Sequence, residues 1–75
     1  MVIVCKTMDA EMALLSFLFS QGFRYGEHIR GSLPLPGTSI TRFIVTDSLT
    51  VGQYAKLLNL VQTTYGISIE DVATS

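Results

Sequence analysis

The sequence predicts an α+β fold made of two similar halves, each a strand, a helix, a glycine stop and a second strand, in the order β-α-β-β-α-β. Three observations predict it. Apolar residues crowd one face at helical spacing in two stretches, 9–19 and 51–65. Each stretch runs into the same punctuation, Gly22-Phe23 and Gly66-Ile67, a glycine suited to the left-handed conformation followed by an apolar residue that closes over the last helical turn. The segments around them are short, rich in β-branched residues and alternate in polarity, as strands do.

Val2 to Thr7 is apolar on both faces, the pattern of a central strand covered from two sides. Asp9 and Glu11 then stand where a helix start favours negative charge, and Met12, Ala13, Leu14, Leu15, Phe17, Leu18 and Phe19 supply a broad face to bury. From Phe23 the period changes to two. Phe23, Tyr25, Glu27 and Ile29 point one way, Arg24, Gly26, His28 and Arg30 the other. Ser39 to Thr46 reads as a third strand, with Thr41, Phe43 and Val45 on one face and Ile40, Arg42 and Ile44 opposite. Thr50 with Gln53 three residues on is a capping box, opening a helix whose apolar stripe runs Val51, Tyr54, Leu58, Val61, Tyr65.

The tail ISIEDV, starting at Ile67, can make a short last strand with Ile67 and Ile69 on one side. The order is then that of the ferredoxin-like, split βαβ arrangement, an antiparallel sheet with both helices on one face. The alternative is a βαββα sheet with residues 67–75 as a loose tail. Residues 1–75 form a single domain on this reading, with no linker and no low-complexity segment.

Composition points to self-association. A chain of 75 residues buries only about 60% of its unfolded surface. Yet 48% of its residues are hydrophobic and 15% charged, where soluble domains carry about 25% charged residues. The surplus apolar surface implies a homodimer or a higher closed oligomer. A net charge of −1 argues against coating long nucleic acid. The longest greasy run, Met12 to Phe19, falls short of the roughly 20 residues a bilayer span needs, and Lys6 cuts short the run MVIVC, so neither membrane span nor signal peptide is expected. The expected compartment is a reducing cytoplasm.

Chemistry of the metal or cofactor kind is not expected. One cysteine and one histidine fall short of a zinc ligand set, and the glycines at 22, 26, 31 and 37 make no phosphate-binding or dinucleotide signature. Cys5 has no basic neighbour to activate it and reads as a small buried hydrophobe. Asp9, Glu11, Glu70 and Asp71 read as helix-start and tail charges. No catalytic constellation emerges, and the chain reads as a binder rather than an enzyme.

The candidate site is a face that mixes guanidinium groups with aliphatic ones. If the helices cover Phe23, Tyr25, Phe43 and Val45, then Arg24, His28, Arg30, Arg42, Ile40 and Ile44 share the uncovered side. Such a surface suits a self-association seam or a flat anionic ligand of the nucleotide type, with phosphates on arginine forks. On the ligand reading Arg24, Arg30 and Arg42 meet phosphates, Tyr25 or Phe43 lies near a base, His28 shares the basic face, and the loop hydroxyls of Ser32, Thr38 and Ser39 donate hydrogen bonds. The plainer reading has the arginines solvated, or paired with Glu27 or Asp47, and His28 as a hydrogen-bonded surface residue.

The loop RGSLPLPGTSITR, between Arg30 and Arg42, adds a second kind of surface. Pro34 and Pro36 fix their own φ and push the preceding residues towards extended geometry, so Leu33 and Leu35 ride on a stiff strut that can meet a partner protein. Otherwise they cap the core edge.

The segment LLSFLFSQGFRYG, residues 14–26, resembles the short helix-to-strand turn of very small phage-encoded accessory proteins. The resemblance implies a viral protein acting in the host cytoplasm against host defence, as an oligomer that sequesters an immune signalling nucleotide or as a plug on a host protein. Three function classes follow: an oligomeric binder of a small anion, which leads; a protein-binding inhibitor or adaptor; and a ligand-sensing regulatory module like the amino-acid-binding βαββαβ domains, on fold analogy alone.

Overall fold

A computed structural model describes residues 1–31 and 40–70. Its elements are β1 (Val2–Cys5), α1 (Met8–Ser20), β2 (Ile29–Gly31), β3 (Thr41–Val45), α2 (Val51–Thr63) and β4 (Ile67–Ile69). The strands form one sheet in the order β2-β3-β1-β4, every neighbouring pair antiparallel. β1 and β2 therefore run parallel with β3 between them, and β3 and β4 run parallel with β1 between them. This is the ferredoxin-like split βαβ topology, with β1 central. The alternative that ends at the second helix is overturned, because β4 pairs with β1 from Ile67 to Ile69. The loop positions Ser32, Leu33, Leu35, Thr38 and Ser39, and the tail from residue 71, lie outside the described residues.

Register fixes two faces. Ile3 opposes Phe43 and Ile69, Cys5 opposes Thr41 and Ile67, and Ile29 opposes Val45. These side chains meet Ala10, Leu14 and Leu18 of α1 and Leu57 of α2 in one core. Val2, Val4, Arg30, Arg42, Ile44, Ser68 and Glu70 take the alternate positions and face away from the helices. The burial pattern of β3, with Thr41, Phe43 and Val45 inside and Arg42 and Ile44 out, is the one its sequence alternation demands.

Helix ends follow local chemistry. Thr7 is not part of β1 but the N-cap of α1, its hydroxyl accepting from the Ala10 N–H at 3.0 Å. At α2 the Thr50 hydroxyl accepts from the Gln53 N–H at 3.1 Å, while the Gln53 side chain accepts from the Thr50 N–H at 3.0 Å, a complete capping box. Both helices stop before glycines at φ 92°, Gly22 and Gly66, a conformation that strains any residue with a β-carbon.

Two sequence expectations fail. The alternating strand from Phe23 to Arg30 is a turn followed by a three-residue strand. The His28 and Ile29 N–H groups donate to the Arg24 carbonyl at 2.8 and 3.2 Å, and the His28 Nδ1 accepts from the Arg24 N–H at 3.0 Å. A side chain that satisfies the backbone locally competes with ladder pairing, so Arg24 and His28 leave the sheet and Tyr25 does not alternate with Phe23. The second failure is the stripe of α2. Only Leu57 is fully buried there, with Leu60 and Val61 partly packed, while Val51 and Tyr65 are 88% and 86% exposed. Strands of three to five residues, already facing three buried side chains of α1, leave little floor for a second broad helix face.

Candidate functional site

The structure divides the predicted site residues between two places. Arg24 and Tyr25 stay together at the corner where α1 ends and the chain turns towards β2. Arg30, Arg42 and Ile44 lie on the helix-free face of the sheet. His28 belongs to the turn between them.

At the corner, Phe19, Gly22, Phe23, Arg24 and Tyr25 line a hollow of about 390 Å³. Phe19 and Tyr25 are about half exposed, at 51% and 54%, whereas Phe23 is buried. The tyrosine is held in place. Its ring stands edge-on to Phe43 with centroids 6.4 Å apart, and its hydroxyl lies over Gly31. A β-carbon on Gly31 would run into that hydroxyl and sit 3.3 Å from the Phe43 ring, so this strand position needs glycine for the tyrosine to lie down. Phe43 itself is 3% exposed and supports Tyr25 from below, so the expectation that it touches a ligand is corrected. The Arg24 backbone is fixed by His28, and its guanidinium makes no hydrogen bond or ion pair among the described residues.

His28 acts as a pin. Its Nδ1 accepts a backbone hydrogen bond, which places the ring proton on Nε2, 3.4 Å from both Glu27 Oε2 and Asp47 Oδ2. Its ring also packs edge-on against Phe23 at 5.9 Å. One nitrogen is thus committed to the backbone and the other faces two carboxylates, which fixes the ring in the turn.

On the open face, Arg42 Nε donates to Glu70 Oε1 at 2.8 Å and its terminal nitrogen reaches Oε2 at 3.4 Å. The hydrogen bond and charge of Glu70 raise the guanidinium's pKa, and Arg42 holds the Glu70 carboxyl below its ordinary value. The pair spans β1 from β3 to β4. Expected partners for the strand arginines were Glu27 and Asp47; the partner of Arg42 is instead the residue read as a tail charge. Only the β4 pairing reveals it, since the two lie far apart in sequence. Arg30 is exposed beside Ile44, with no side-chain partner among the described residues.

Phe19 was expected in the buried face of α1. Five residues from Leu14, it falls on the helix's far side at 100° per residue, a signal present in the spacing. A larger hollow of about 480 Å³ lies between the helices, lined by Phe17, Gln21, Ala55, Lys56, Asn59, Leu60 and Thr63. Its walls are mainly amide, hydroxyl and aliphatic groups, with one ring, Phe17, and one cation, Lys56, whereas the corner sets three rings around Arg24.

Cys5 is buried, and burial, with a smaller contribution from Glu11, pushes its thiol up to about 11, so it is no nucleophile. Among the described residues no group of three or more His, Cys, Asp or Glu is placed to hold a metal ion, and no helix is long and apolar enough to cross a membrane. No protein-family model, curated protein or solved structure matches the chain.

Proposed function

We propose that the chain is a non-enzymatic, self-associating binding protein whose ligand is a small, flat anion of the nucleotide type, taken at the corner between α1 and β2. One observation carries the reading: the guanidinium of Arg24, without a partner among the described residues, stands beside the exposed rings of Tyr25 and Phe19 around one hollow. A base stacked on an aromatic ring gains about 1–3 kcal/mol. A hydrogen bond from a charged donor adds about 1.5–3 kcal/mol. The carbonyl end of α1 opposes an anion there by only about 0.3–1 kcal/mol. The guanidinium therefore outweighs the helix dipole. A hollow of about 390 Å³ is within the range of small-molecule sites. The resemblance in residues 14–26 selects, within this class, a signalling nucleotide of bacterial immunity met in the host cytoplasm.

The test is a thermal-shift and calorimetric panel of mono-, di- and cyclic nucleotides. A ligand that binds only the native state at 100 times its Kd raises stability by about 2.7 kcal/mol. The expected pattern is a rise with at least one nucleotide, abolished by Arg24→Glu and weakened by Tyr25→Ala. A flat response across the panel sinks the reading.

A second reading has its own support. Val51, Tyr54 and Leu58 form an exposed apolar stripe on α2, the kind of helix face that protein grooves accept, and Tyr65 is exposed in the turn beyond it. If the chain is an inhibitor or adaptor of a host protein, a stoichiometric complex forms from host extract and is lost in Tyr54→Asp/Leu58→Asp, with nucleotides indifferent.

A further inference from the structure

The helix-free face of the sheet has a charge order that makes it complementary to itself. Arg30 opposes Ile44, Ile44 opposes Val2, and Val2 stands against Glu70, whose N–H donates to the Val2 carbonyl at 2.8 Å. Read across the strands from β2 to β4, the row is cation, aliphatic, aliphatic, anion. At about 4.8 Å between strands, its two charges stand about 14 Å apart. The next row carries Arg42, Val4 and Ser68. Ile44 is 45% exposed although it lies in the middle of the sheet.

We infer that this face docks on the same face of a second copy, about a two-fold axis that runs parallel to the strands between β3 and β1. Rotation about such an axis reverses the row and turns it to face itself. Arg30 then meets Glu70 of the second copy, Ile44 meets its Val2, and the two remaining contacts repeat by symmetry. A two-fold axis along the row instead sets Arg30 against Arg30, which like-charge repulsion disfavours. Glu70 serves both neighbours, because a carboxylate offers about four acceptor sites and Arg42 occupies only part of them. The strands of the two sheets run nearly aligned, the common class of sheet-on-sheet packing. The charges sit at the rim and set register and association rate more than affinity. The apolar centre is small, so the dimer is weak and favoured by low salt.

The inference gives the self-association in the proposed function a surface and a symmetry. It does not depend on the ligand, whose hollow is on the helix side. Sedimentation equilibrium of the whole chain at low and high salt measures it. The expected result is a concentration-dependent shift from one to two subunits, weakened at least tenfold in Arg30→Glu and in Glu70→Lys. An equimolar mixture of those two variants restores a heterodimer, since each charge then meets its opposite. Ile44→Ser, at a half-exposed site that the fold tolerates, weakens the dimer with no rescue by mixing. A wild type that stays a monomer at high concentration and low salt overturns the inference, as do two charge variants that dimerise like wild type or fail to recover on mixing. Nucleotide titrations of Arg30→Glu separate the two proposals, because the corner site is intact in it.

Discussion

The two halves of the chain follow one plan and diverge where it matters. Each has a helix of 13 residues that ends before a glycine at φ 92°. α1 buries Ala10, Leu14 and Leu18, whereas α2 buries Leu57 alone. After Gly66 the chain enters β4 at once, but after Gly22 it spends residues 23–28 on a turn before β2 begins. The first half is thus anchored at three points and carries an extra turn that shapes the aromatic hollow. The second half has one anchor and leaves its stripe in solvent. Both candidate binding features, the corner and the stripe, arise where the halves differ, while the shared plan accounts for the scaffold.

The largest effect expected comes from the anchors. Leu14→Ala and Leu57→Ala each empty a fully buried site, and such truncations cost about 2–5 kcal/mol. That is a large share of the roughly 4–11 kcal/mol expected for a chain of this size. The two should fail differently. Leu14→Ala lowers the urea midpoint for the whole molecule. Leu57→Ala frees α2 first, so its amides exchange hydrogen faster than those of α1 and β1. Uniform exchange in Leu57→Ala would show that α2 is held as firmly as α1 and would break the contrast between the halves.

Next in size is an effect at β1, the strand between the halves. Burial, with a smaller contribution from Glu11, pushes the Cys5 thiol from its ordinary value of 9.0 up to about 11 in the folded chain. A group whose pKa is raised by folding stabilises fully below its unfolded value, and that stability is lost as pH climbs through the folded one. Between about pH 9 and 11 the wild type should lose on the order of 2 kcal/mol relative to Cys5→Ala, which has no thiol to charge. Chemical denaturation of both proteins at stepped pH checks it. Equal slopes would mean that the thiol is reached by water in solution.

The caps give a smaller contrast. Thr7→Ala removes the acceptor of a partly buried N–H at the start of α1, and costs about 1–2 kcal/mol. Thr50→Ala exposes the Gln53 N–H to water and keeps the reciprocal Gln53 bond, so it costs about 0.5–1 kcal/mol. Midpoints from thermal melts of the two variants should rank in that order.

What could be read in the chain and what could not divides along physical lines. The capping box, the glycine stops, the alternation of β3 and the pairing side of Ile67 and Ile69 depend on local chemistry, and the residues show it directly. The turn at 24–28 was hidden because Arg24, Gly26, His28 and Arg30 alternate perfectly well as a strand. It is held by the Arg24 carbonyl, which accepts from the His28 and Ile29 N–H groups, and by the His28 nitrogen that accepts the Arg24 N–H, contacts that no periodicity encodes. The Arg42–Glu70 pair depends on strand order, a tertiary fact. Of the predicted site, Arg24 and Tyr25 were legible as neighbours, but Phe43 was misread because a strand face tells which way a ring points and not what lies over it.

The smallest effect expected is the most discriminating. Val51 opens α2, Tyr65 stands in the turn after its C-cap, and both are almost fully exposed. Replacing either with serine should change stability by no more than about 0.5 kcal/mol, as surface substitutions do. Had the stripe been the buried face that its spacing suggests, serine would cost several times more. A near-zero result therefore fixes the rotation of α2 about its axis. A cost of about 2 kcal/mol that falls on dilution would instead mean that another molecule covers the stripe, because only a bimolecular contact makes stability depend on concentration. Since the self-complementary face is on the other side of the sheet, such a result would call for a second contact and a larger closed assembly.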